Sequence, residues 1–509
     1  MSNSQILLSY IGRGSKCAIH ANQDINSMTI ESTDLTGNGS TIPSTNVDVR
    51  IVKCWYQGGY GNSTDLSVHS RYLTPELLLK DDSLIKVTGE DWTKWNISND
   101  NRKNYLKLAT GSYIDISSSR SLGSGDMTVV PISKRPVIDA TTLQPVTINK
   151  GSNKQFWITI HIPNNTEAGY YSGSITLKTG SVIIQQIKLN LQVLPIALSN
   201  PNIEYCLYYR GIITDQGSIS SEDKTIAQFT AENKDMKDHG VTNPTIYSTP
   251  TDDAFNQVLS IRKQVGLNNT NLYCLGLDLG SSSKIPYYKN LTAPYGVTDV
   301  YVYAPDEQDI QSVNILSDIT RCQNAGGKVM NAQSQSQADS AADKLDLAIV
   351  AHDPLVKLSD KYHINNHKIY SYDNPQVVPE YPRLFRMNYG LLLWQRNYDG
   401  AMTYSYQHSF GDIWNDFDCI EYRDHVFAYP TMDGVIDTVQ WEGFRESVDD
   451  MRYLATLQNT INLAKSEGKD TSVAESWLAN LKGSDLNSQD LDAVRLQMIN
   501  YILSLQNSG

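Results

Sequence analysis

Two adjacent carboxylates are the residues of this chain whose types and spacing best suggest a reaction. Asp306 and Glu307 lie in the stretch VYVYAPDEQ, directly after Pro305. The alternating valines and tyrosines of 300–303 predict a buried strand, because β-branched and aromatic side chains fit a pleated surface, and the proline predicts its end. Consecutive residues on a regular strand face opposite sides. Both acids can therefore enter one cleft only because the strand has ended before them.

A pair of carboxylates is the usual equipment for hydrolysing a glycosidic bond. One acid protonates the leaving oxygen while the other manages the charge that develops at the anomeric carbon. An adjacent Asp-Glu pair also fits the substrate-assisted variant, in which the 2-acetamido oxygen of the sugar is the nucleophile. Asp306 would then orient the acetamido group, and Glu307 would act first as general acid and then as general base. The charge of Asp306 would help to raise the pKa of Glu307.

The same two residues also fit a purely structural role. Together with Asp309 they would form a helix N-terminus, where each negative charge is favourable by about 0.3–1 kcal/mol. Two acids after a strand do not by themselves separate these interpretations.

Side chains at the ends of the other predicted strands are candidates for binding a substrate. Aromatic faces stack on the C–H surfaces of sugars, and polar groups bond their hydroxyls. A packing role at the rim of the fold is the alternative for each of them. The candidates are Tyr209, Arg210, Tyr247, Asn331, Asp353, Tyr372, Asp373, Tyr404, Tyr406 and Trp414.

The elements that must position these residues alternate between strand and helix from residue 203 onward. The predicted strands are EYCLYY (204–209), PTIYS (244–248), NLYCLGL (271–277), DVYVY (299–303), KVMNA (328–332), LAIV (347–350), KIYSY (368–372) and GAMTYSY (400–406), and helices are predicted between them, for example over 309–325 and 383–396. Eight such β/α units predict a (β/α)8 TIM barrel, in which active sites lie at the C-terminal ends of the strands. Asp306 and Glu307 follow the fourth strand.

The chain before about Leu194 is predicted to be all-β. Short alternating runs such as FWITIHIP and VIIQQIKLNLQVLP are separated by Gly, Asn, Pro and Ser, which is typical of an antiparallel β-sandwich. The turn residues inside IPNNTEAGYYSGSITL predict a hairpin between its two strands. We therefore expect a multidomain β plus α/β protein, with a sandwich at 1–197, a catalytic barrel at 198–465 and C-terminal helices packed on the barrel at 466–509.

The last part of the chain is predicted to be helical. An apolar stripe at three- and four-residue spacing predicts one long helix, and two more amphipathic helices are predicted near 471–482 and 488–505. The stripe consists of Trp441, Phe444, Val448, Met451 and Leu454. Glu442, Arg445, Glu446 and Arg452 are spaced as exposed helix pairs, and His239 is predicted to end a helix before Gly240.

The charge and composition of the chain argue against some classes of binding partner. The chain has 509 residues, with 42 basic and 55 acidic side chains and a net charge of −13, which argues against nucleic acid and anionic membranes. No run of about 18 apolar residues predicts a membrane span. The 30 tyrosines against 8 phenylalanines suit a glycan ligand, although they equally suit a sheet with one wet face.

Cysteine and histidine placement predicts neither metal nor cofactor. The six cysteines are far apart, with no CxxC pair and no neighbouring His pair. The first twenty residues lack the basic and apolar regions of a secretory signal. Localisation stays open, with an extracellular or surface-associated protein favoured by composition, and the oligomeric state is also open.

Several segments resemble one enzyme family, in the family's own order. They are YLTPELLLKDD (72–82), FWITIHIPNNTEAGYYSGSITL (156–177), DMKDHGVTNPTIY (235–247), YAPDEQ (303–308) and YPTMDGVIDTVQWEGFRESVDDMRYL (429–454). The chain is thereby similar to glycoside hydrolase family 123 and its relatives with a DUF4091-type C-terminal region, whose characterised members are β-N-acetylgalactosaminidases. Gln308 stands where the family more often has proline.

The resemblance implies a β-sandwich joined to a TIM barrel, and retaining, substrate-assisted hydrolysis of terminal β-linked N-acetylhexosamine, with β-GalNAc the expected sugar. Asp306 would be the acetamido-orienting residue and Glu307 the acid/base. The alternative is a non-catalytic glycan-binding or structural surface or virion protein that keeps the fold, since a fold does not determine a function.

Overall fold

The computed structural model describes residues 6–9, 14–37, 39–58, 71–89, 101–120, 122–123, 125–378, 380–419 and 421–507. Its first part is built from strands. They are β1 (Ile6–Ser9), β2 (Gly14–His20), β3 (Ile25–Ser32), β4 (Leu35–Gly37), β5 (Ser40–Ile42), β6 (Val47–Gln57), β7 (Tyr72–Leu79), β8 (Ile85–Thr88), β9 (Lys103–Lys107), β10 (Tyr113–Asp115), β11 (Val146–Ile148), β12 (Asn153–Ile160), β13 (Gly169–Thr179) and β14 (Val182–Val193).

These strands pair antiparallel, as predicted. One sheet has the order β1-β2-β12-β6-β7, a second has β11-β3-β13-β4-β5 with β14 beside β13, and a third has β10-β9-β8. Side chains of the first two sheets, such as Ile51, Phe156, Met28 and Leu177, meet in one buried core. The all-β character of this part therefore follows from the period-2 alternation of apolar residues.

The predicted hairpin around 161–168 is wrong. Strand β12 pairs with β2 and β6, whereas β13 pairs with β14, β3 and β4, so this stretch crosses from one sheet to the other. Alternation of apolar residues indicates which face of a strand is buried, but not which strand lies beside it.

The second part alternates between strands and helices. Its strands are β15 (Glu204–Leu207), β16 (Ile212–Ile213), β17 (Asp223–Lys224), β18 (Asn271–Asp278), β19 (Asp299–Tyr303), β20 (Lys328–Gln333), β21 (Leu347–Ala351), β22 (Lys368–Tyr372), β23 (Gly400–Thr403), β24 (Gln407–His408), β25 (His425–Val426), β26 (Ala428–Pro430) and β27 (Val435–Asp437). Its helices are α1 (Ile226–Asp238), α2 (Asp252–Val265), α3 (Ile285–Thr292), α4 (Val313–Asn324), α5 (Gln335–Ala341), α6 (Val356–Ile364), α7 (Pro382–Asn388), α8 (Leu391–Gln395), α9 (Val439–Ser466), α10 (Ser472–Lys482) and α11 (Leu491–Asn507).

Seven of these strands form a parallel sheet with the order β15-β23-β22-β21-β20-β19-β18. All seven coincide with predicted strands. The remaining predicted strand, 244–248, which is second in chain order, is a short bridge rather than a regular strand. The Thr245 N–H donates to the Leu207 carbonyl of β15, and the Ile246 N–H donates to the Tyr273 carbonyl of β18, at 2.9 and 2.8 Å. This segment therefore bonds to both edge strands of the sheet.

The two faces of the sheet carry different side chains. Cys206, Tyr301, Met330 and Tyr370 belong to one buried cluster. Neighbouring residues of the opposite parity, such as Leu207, belong to the core that is shared with the helices. Both faces are buried, as expected for a parallel sheet covered by helices.

The predicted helix over 383–396 is interrupted, because α7 ends at Asn388 and α8 begins at Leu391. A Cβ at Gly390 would lie 3.2 Å from the Cβ of Ser447 in α9 and closer still to the Arg386 carbonyl. The break thus allows a close approach to α9, and the apolar pattern alone does not reveal it.

The long C-terminal helix is confirmed as α9, and His239 ends α1 as predicted. The expectation of exposed charge pairs on α9 is wrong for Glu442, Arg445 and Glu446, which are buried. The Arg445 Nη2 lies 2.5 Å from Glu442 Oε2. The Arg495 Nη1, from α11, lies 2.6 Å from Glu446 Oε2. Covering elements distant in sequence bury these charges, which the spacing on one helix could not predict.

In the described part of the chain, no helix is both long enough and apolar enough to cross a bilayer. All six cysteines are free thiols, and five of them are buried.

Candidate functional site

The turn after β19 places the two acids at the C-terminal edge of the parallel sheet. Asp306 and Glu307 are both exposed. The Tyr303 hydroxyl, on the last residue of β19, donates to Asp306 Oδ1 at 2.6 Å. Glu307 has a φ of +49°, a left-handed conformation that is costly for a residue with a Cβ. The chain therefore holds both carboxylates at the strand end, with Asp306 beside a tyrosine hydroxyl.

Three amide side chains hold the backbone of this turn. The buried Asn331 amide donates to the carbonyls of Ala304 and Pro305, at 3.1 and 2.9 Å. Gln333 Nε2 donates to the Gln308 carbonyl at 3.2 Å, and Gln337 Nε2 donates to the Glu307 carbonyl at 3.0 Å. Side chains from β20 and α5 thus fix the acid pair through four carbonyls of the turn.

Strained backbone recurs at the neighbouring strand ends. Among the described residues six other than glycine have a positive φ, and three of these follow parallel strands of the sheet: Glu307, His352 with +69° and Asp373 with +45°. The His352 N–H donates to the Asp373 carbonyl at 3.1 Å. Because such conformations cost of order 1–3 kcal/mol each and concentrate at functional sites, this edge is the candidate functional site.

Five tyrosines line the sheet next to the acids, and we call them the tyrosine cluster: Tyr208, Tyr247, Tyr303, Tyr372 and Tyr404. The Tyr208 ring lies 5.9 Å from the Tyr372 ring and 5.3 Å from the Tyr404 ring, centroid to centroid. The hydroxyls of Tyr208 and Tyr303 are 3.4 Å apart. The cluster therefore places aromatic rings near Asp306, with Tyr208 and Tyr372 buried and the Tyr303 hydroxyl in direct contact with that carboxylate.

A half-buried charge pair borders the cluster. Arg210 forms an ion pair with Glu222. Its Nη1 donates to the Tyr404 hydroxyl at 3.0 Å, and its guanidinium lies 4.9 Å from the centroid of the Tyr247 ring. The Tyr404 hydroxyl also lies 2.8 Å from His408 Nδ1. These contacts fix the orientation of two tyrosines of the cluster.

The surroundings of Glu307 favour its protonated form. Partial burial is the largest cause that raises the pKa of its carboxyl, and the negative charges of Asp306 and Asp373 raise it further. A hydrogen bond with the Tyr372 hydroxyl acts in the opposite direction and lowers it. A carboxyl with a raised pKa beside an ionisable neighbour is the arrangement that general acid/base catalysis requires.

The structure brings most of the sequence-predicted residues together. Tyr247, Tyr372 and Tyr404 belong to the tyrosine cluster, and Asp373 lies close enough to act on the pKa of Glu307. Asn331 is fully buried beneath the turn of the acid pair, where it positions backbone and has no surface for a ligand.

Three predicted tyrosine and tryptophan candidates lie elsewhere, in buried cores. Tyr209 is 1% exposed and its hydroxyl donates to Glu232 at 2.6 Å, because it points to the helix-facing side of the sheet. Tyr406 is fully buried and donates to Asp235 at 2.8 Å. Trp414 is fully buried too, and its indole N–H donates to the Pro430 carbonyl at 3.2 Å. We leave these three out of the candidate site.

Sequence reasoning missed Tyr208, Tyr303, Gln333 and Gln337. In the run EYCLYY both parities are apolar, so the strand pattern could not tell whether Tyr208 or Tyr209 faces the site. The alternating pattern of 300–303 predicts Tyr303 only as part of the buried strand, not as a site residue. The two glutamines lie on the next strand and helix, and no local pattern links them to the turn.

One group in the described part of the chain has the ligand types and proximity for a metal ion: Asp235, His239 and Asp437. Each of its three residues already has a protein partner. The Trp441 indole donates to Asp235 at 2.9 Å, and Arg50 lies 3.1 Å from Asp437. His239 Nδ1 lies 3.0 Å from Asp235 Oδ1. The arrangement matches a buried charge network better than a metal centre.

Comparison with known proteins gives a likeness in fold. No protein-family model matches the chain, and no curated protein matches it in sequence. A family 123 glycoside hydrolase from Clostridium perfringens, studied for glycolipid glycan hydrolysis, is similar with a TM-score of 0.58 at 12% identity, over 97% of this chain and 92% of that one. A family 39 glycoside hydrolase from Bacteroides cellulosilyticus has a TM-score of only 0.32 at 11% identity, over 65% of this chain and 79% of that one. The first match supports, at the level of fold, the resemblance to family 123.

Proposed function

We propose that the protein is a retaining exo-glycosidase that removes terminal β-linked N-acetylhexosamine, β-GalNAc in particular. The observation that carries the proposal is the adjacent acid pair, held at the end of β19 beside the tyrosine cluster, in a chain with the fold of a family 123 glycoside hydrolase. The raised pKa of Glu307 supports its role as the acid.

The proposal includes the architecture. The bridge at 244–248 serves as the second strand of a complete (β/α)8 barrel, supported by its hydrogen bonds to both edge strands of the sheet. The two antiparallel sheets that share a core form the sandwich. The proposed division into 1–197, 198–465 and 466–509 follows these elements.

In the proposed reaction Glu307 gives its proton to the glycosidic oxygen as the bond to the anomeric carbon breaks. The acetamido carbonyl oxygen of the same sugar attacks that carbon, and Asp306 stabilises the positive charge of the resulting oxazolinium ring. The aglycone leaves as an alcohol. Glu307, now a carboxylate, takes a proton from water while the water oxygen attacks the anomeric carbon and reopens the ring. Two inversions give net retention and return Glu307 to its protonated form.

The tyrosine cluster is proposed to bind the terminal sugar. Tyrosines combine an apolar face with a hydroxyl, and the hydroxyls of Tyr208 and Tyr303 lie next to Asp306, which would hold the acetamido group. Tyr372 lowers the pKa of Glu307, so the cluster acts on both acids. A sugar lying on it would present its anomeric carbon between them.

The test measures hydrolysis of nitrophenyl β-GalNAc, β-GlcNAc and β-galactoside by the wild type, Asp306→Asn and the matched control Asp309→Asn. We expect turnover of the acetamido sugars alone, a loss of about 10²–10³-fold in Asp306→Asn, and a change below about twofold in Asp309→Asn, since surface changes away from a site have small effects. Turnover of the galactoside at a similar rate would contradict substrate assistance. Glycan binding without any turnover would favour the non-catalytic alternative.

A further inference from the structure

An open cavity of about 1040 Å³ lies at the ends of β21 and β22, and its lining includes Asp373, whose charge acts on the pKa of Glu307. One wall is formed by the ends of β21 and β22, with His352, Asp373 and Gln376, and the opposite wall by the turn 484–487 between α10 and α11. Pockets of about 300–1,000 Å³ hold drug-sized ligands. The cavity therefore has room for more than one sugar residue.

The cavity and the tyrosine cluster meet at Tyr372. Its ring packs against Tyr208 of the cluster, and its hydroxyl is close enough to Glu307 to lower the pKa of that carboxyl. Gln376, which lines the cavity, donates from Nε2 to the same hydroxyl at 3.0 Å. Asp373 also lines the cavity and acts on the pKa of Glu307. Tyr372 and Asp373 thus link the general acid of the proposed reaction to the tyrosine cluster on one side and to the cavity on the other.

That placement matches the two halves of a glycoside. A general acid must reach the oxygen that joins the cleaved sugar to the leaving group. With the terminal sugar on the tyrosine cluster, the leaving group extends past Glu307 and toward the cavity.

The cavity lining carries unused polar groups. Asn388 is 8% exposed, and its Oδ1 is buried without a hydrogen-bond donor among the described residues, while its Nδ2 donates to Asn374 Oδ1 at 3.0 Å. The guanidinium of Arg396 has no ion pair or hydrogen bond within the described ranges. A buried acceptor without a donor costs about 1–3 kcal/mol. A ligand hydroxyl would satisfy it.

The remaining lining defines the ligand class. Leu384, Met387 and Leu392 supply apolar surface between the polar groups. Three carboxylates, those of Asp353, Asp373 and Asp485, stand against the single guanidinium of Arg396. Alternating apolar and hydrogen-bonding surface suits sugar rings, and the excess of negative charge disfavours acidic glycans.

We propose that this cavity binds the leaving part of the substrate as a neutral oligosaccharide, two or more sugars beyond the cleaved residue. The assignment rests on the proposed function, because it uses Glu307 as the point of cleavage. It makes the protein an enzyme for extended neutral glycans, rather than for single sugars on small aglycones.

The experiment compares a neutral disaccharide and a neutral tetrasaccharide that share the same terminal β-GalNAc linkage. Leu392→Trp fills the cavity, and Leu463→Trp, at an exposed position of α9, is the matched control. We expect kcat/KM of the wild type to be at least tenfold higher for the tetrasaccharide. Leu392→Trp removes this advantage, Leu463→Trp keeps it and leaves nitrophenyl β-GalNAc turnover within twofold, and Arg396→Ala reduces the advantage without adding bulk.

Equal kcat/KM for the two glycans, or an advantage that survives Leu392→Trp in a folded protein, would overturn the cavity assignment while leaving the glycosidase intact. A preference for an alkyl β-GalNAc over the tetrasaccharide would also overturn it, in favour of a lipid aglycone. If no substrate is hydrolysed, the proposed function fails. Direct binding then decides the cavity: tetrasaccharide binding that Leu392→Trp abolishes supports it, and binding that is absent or unchanged refutes it.

Discussion

Two neighbours of Glu307 shift the pKa of its carboxyl in opposite directions. The Tyr372 hydroxyl stabilises the ionised carboxylate, and the Asp373 charge destabilises it. A general acid works only while protonated, so kcat/KM falls as the pH rises through its pKa. The alkaline limb of the pH profile therefore reports how these neighbours set the pKa.

Tyr372→Phe and Asp373→Asn are expected to move the alkaline limb in opposite directions. Loss of the hydrogen bond raises the pKa of Glu307 and shifts the limb to higher pH, whereas loss of the Asp373 charge lowers the pKa and shifts it to lower pH. The measurement is kcat/KM against pH for both variants, with Tyr381→Phe, an exposed tyrosine, as the control. Shifts of the same sign would refute the assignment of Glu307 as the acid.

For single residues, the sequence identified the two acids but not all of the side chains that surround them. Asp306 and Glu307 stand out because a proline separates them from a strand. The prediction selects Tyr209 rather than Tyr208. A strand buried on both faces has no polar side from which the orientation of its side chains could be predicted. Asn331 was expected to bind substrate, but its amide is used by two carbonyls of the turn, a long-range contact that no local spacing encodes.

Among the elements, α1 and α9 are joined by a buried histidine. The His239 ring stacks on Trp441 with centroids 4.4 Å apart. Burial alone would lower its pKa, but the charge of Asp235 and hydrogen bonds with Asp235 and Glu442 raise the pKa of His239 to about 10. The imidazolium thus neutralises the buried Asp235 carboxylate, which also accepts hydrogen bonds from the neutral donors Tyr406 and Trp441.

His239→Gln is expected to lower the free energy of unfolding by about 3–5 kcal/mol, because it leaves the buried Asp235 carboxylate without its cation. The pKa of His239 is raised on folding, so its stabilisation is complete below about pH 6.5, the unfolded value, and is lost as the pH rises toward about 10. Thermal unfolding of wild type and variant at pH 6 and pH 9 measures this, with the exposed His20→Gln as the control. A difference in stability between wild type and variant that is larger at pH 9 than at pH 6 would contradict the assignment.

Regular elements were predictable and their exceptions were not. The strands of the parallel sheet and helix α9 follow from apolar periodicity. The break at Gly390 and the sheet-to-sheet crossing near 161–168 depend on which element lies alongside, and that is a property of tertiary packing.

At the scale of the whole molecule, one core joins the N-terminal strands to the loop after β23. Trp55 of β6 lies 6.0 Å from Trp414 and 5.3 Å from Tyr429, centroid to centroid. Glu76 of β7 accepts from Trp55 Nε1 and from Gln440 Nε2, both at 2.7 Å. Trp414, predicted as a sugar platform, instead belongs to this shared core.

Trp414→Ala is expected to destabilise the protein by about 3–5 kcal/mol through the cavity it leaves, and to leave kcat/KM within about twofold at a temperature where the variant is folded, since changes far from a site couple weakly to it. Calorimetry and a rate assay test both parts. A large loss of activity in a fully folded variant would return Trp414 to the site. The exposed Val473→Ala is the control for stability.

Glu307 is proposed to be the general acid of a glycosidase. The most direct test is the initial rate of nitrophenol release from nitrophenyl β-GalNAc by the wild type beside Glu307→Gln. We expect clear turnover by the wild type and a loss of about 10²–10⁴-fold in the variant, the usual contribution of a general acid/base. Equal rates for the two proteins, or no release by a folded wild type, would contradict it.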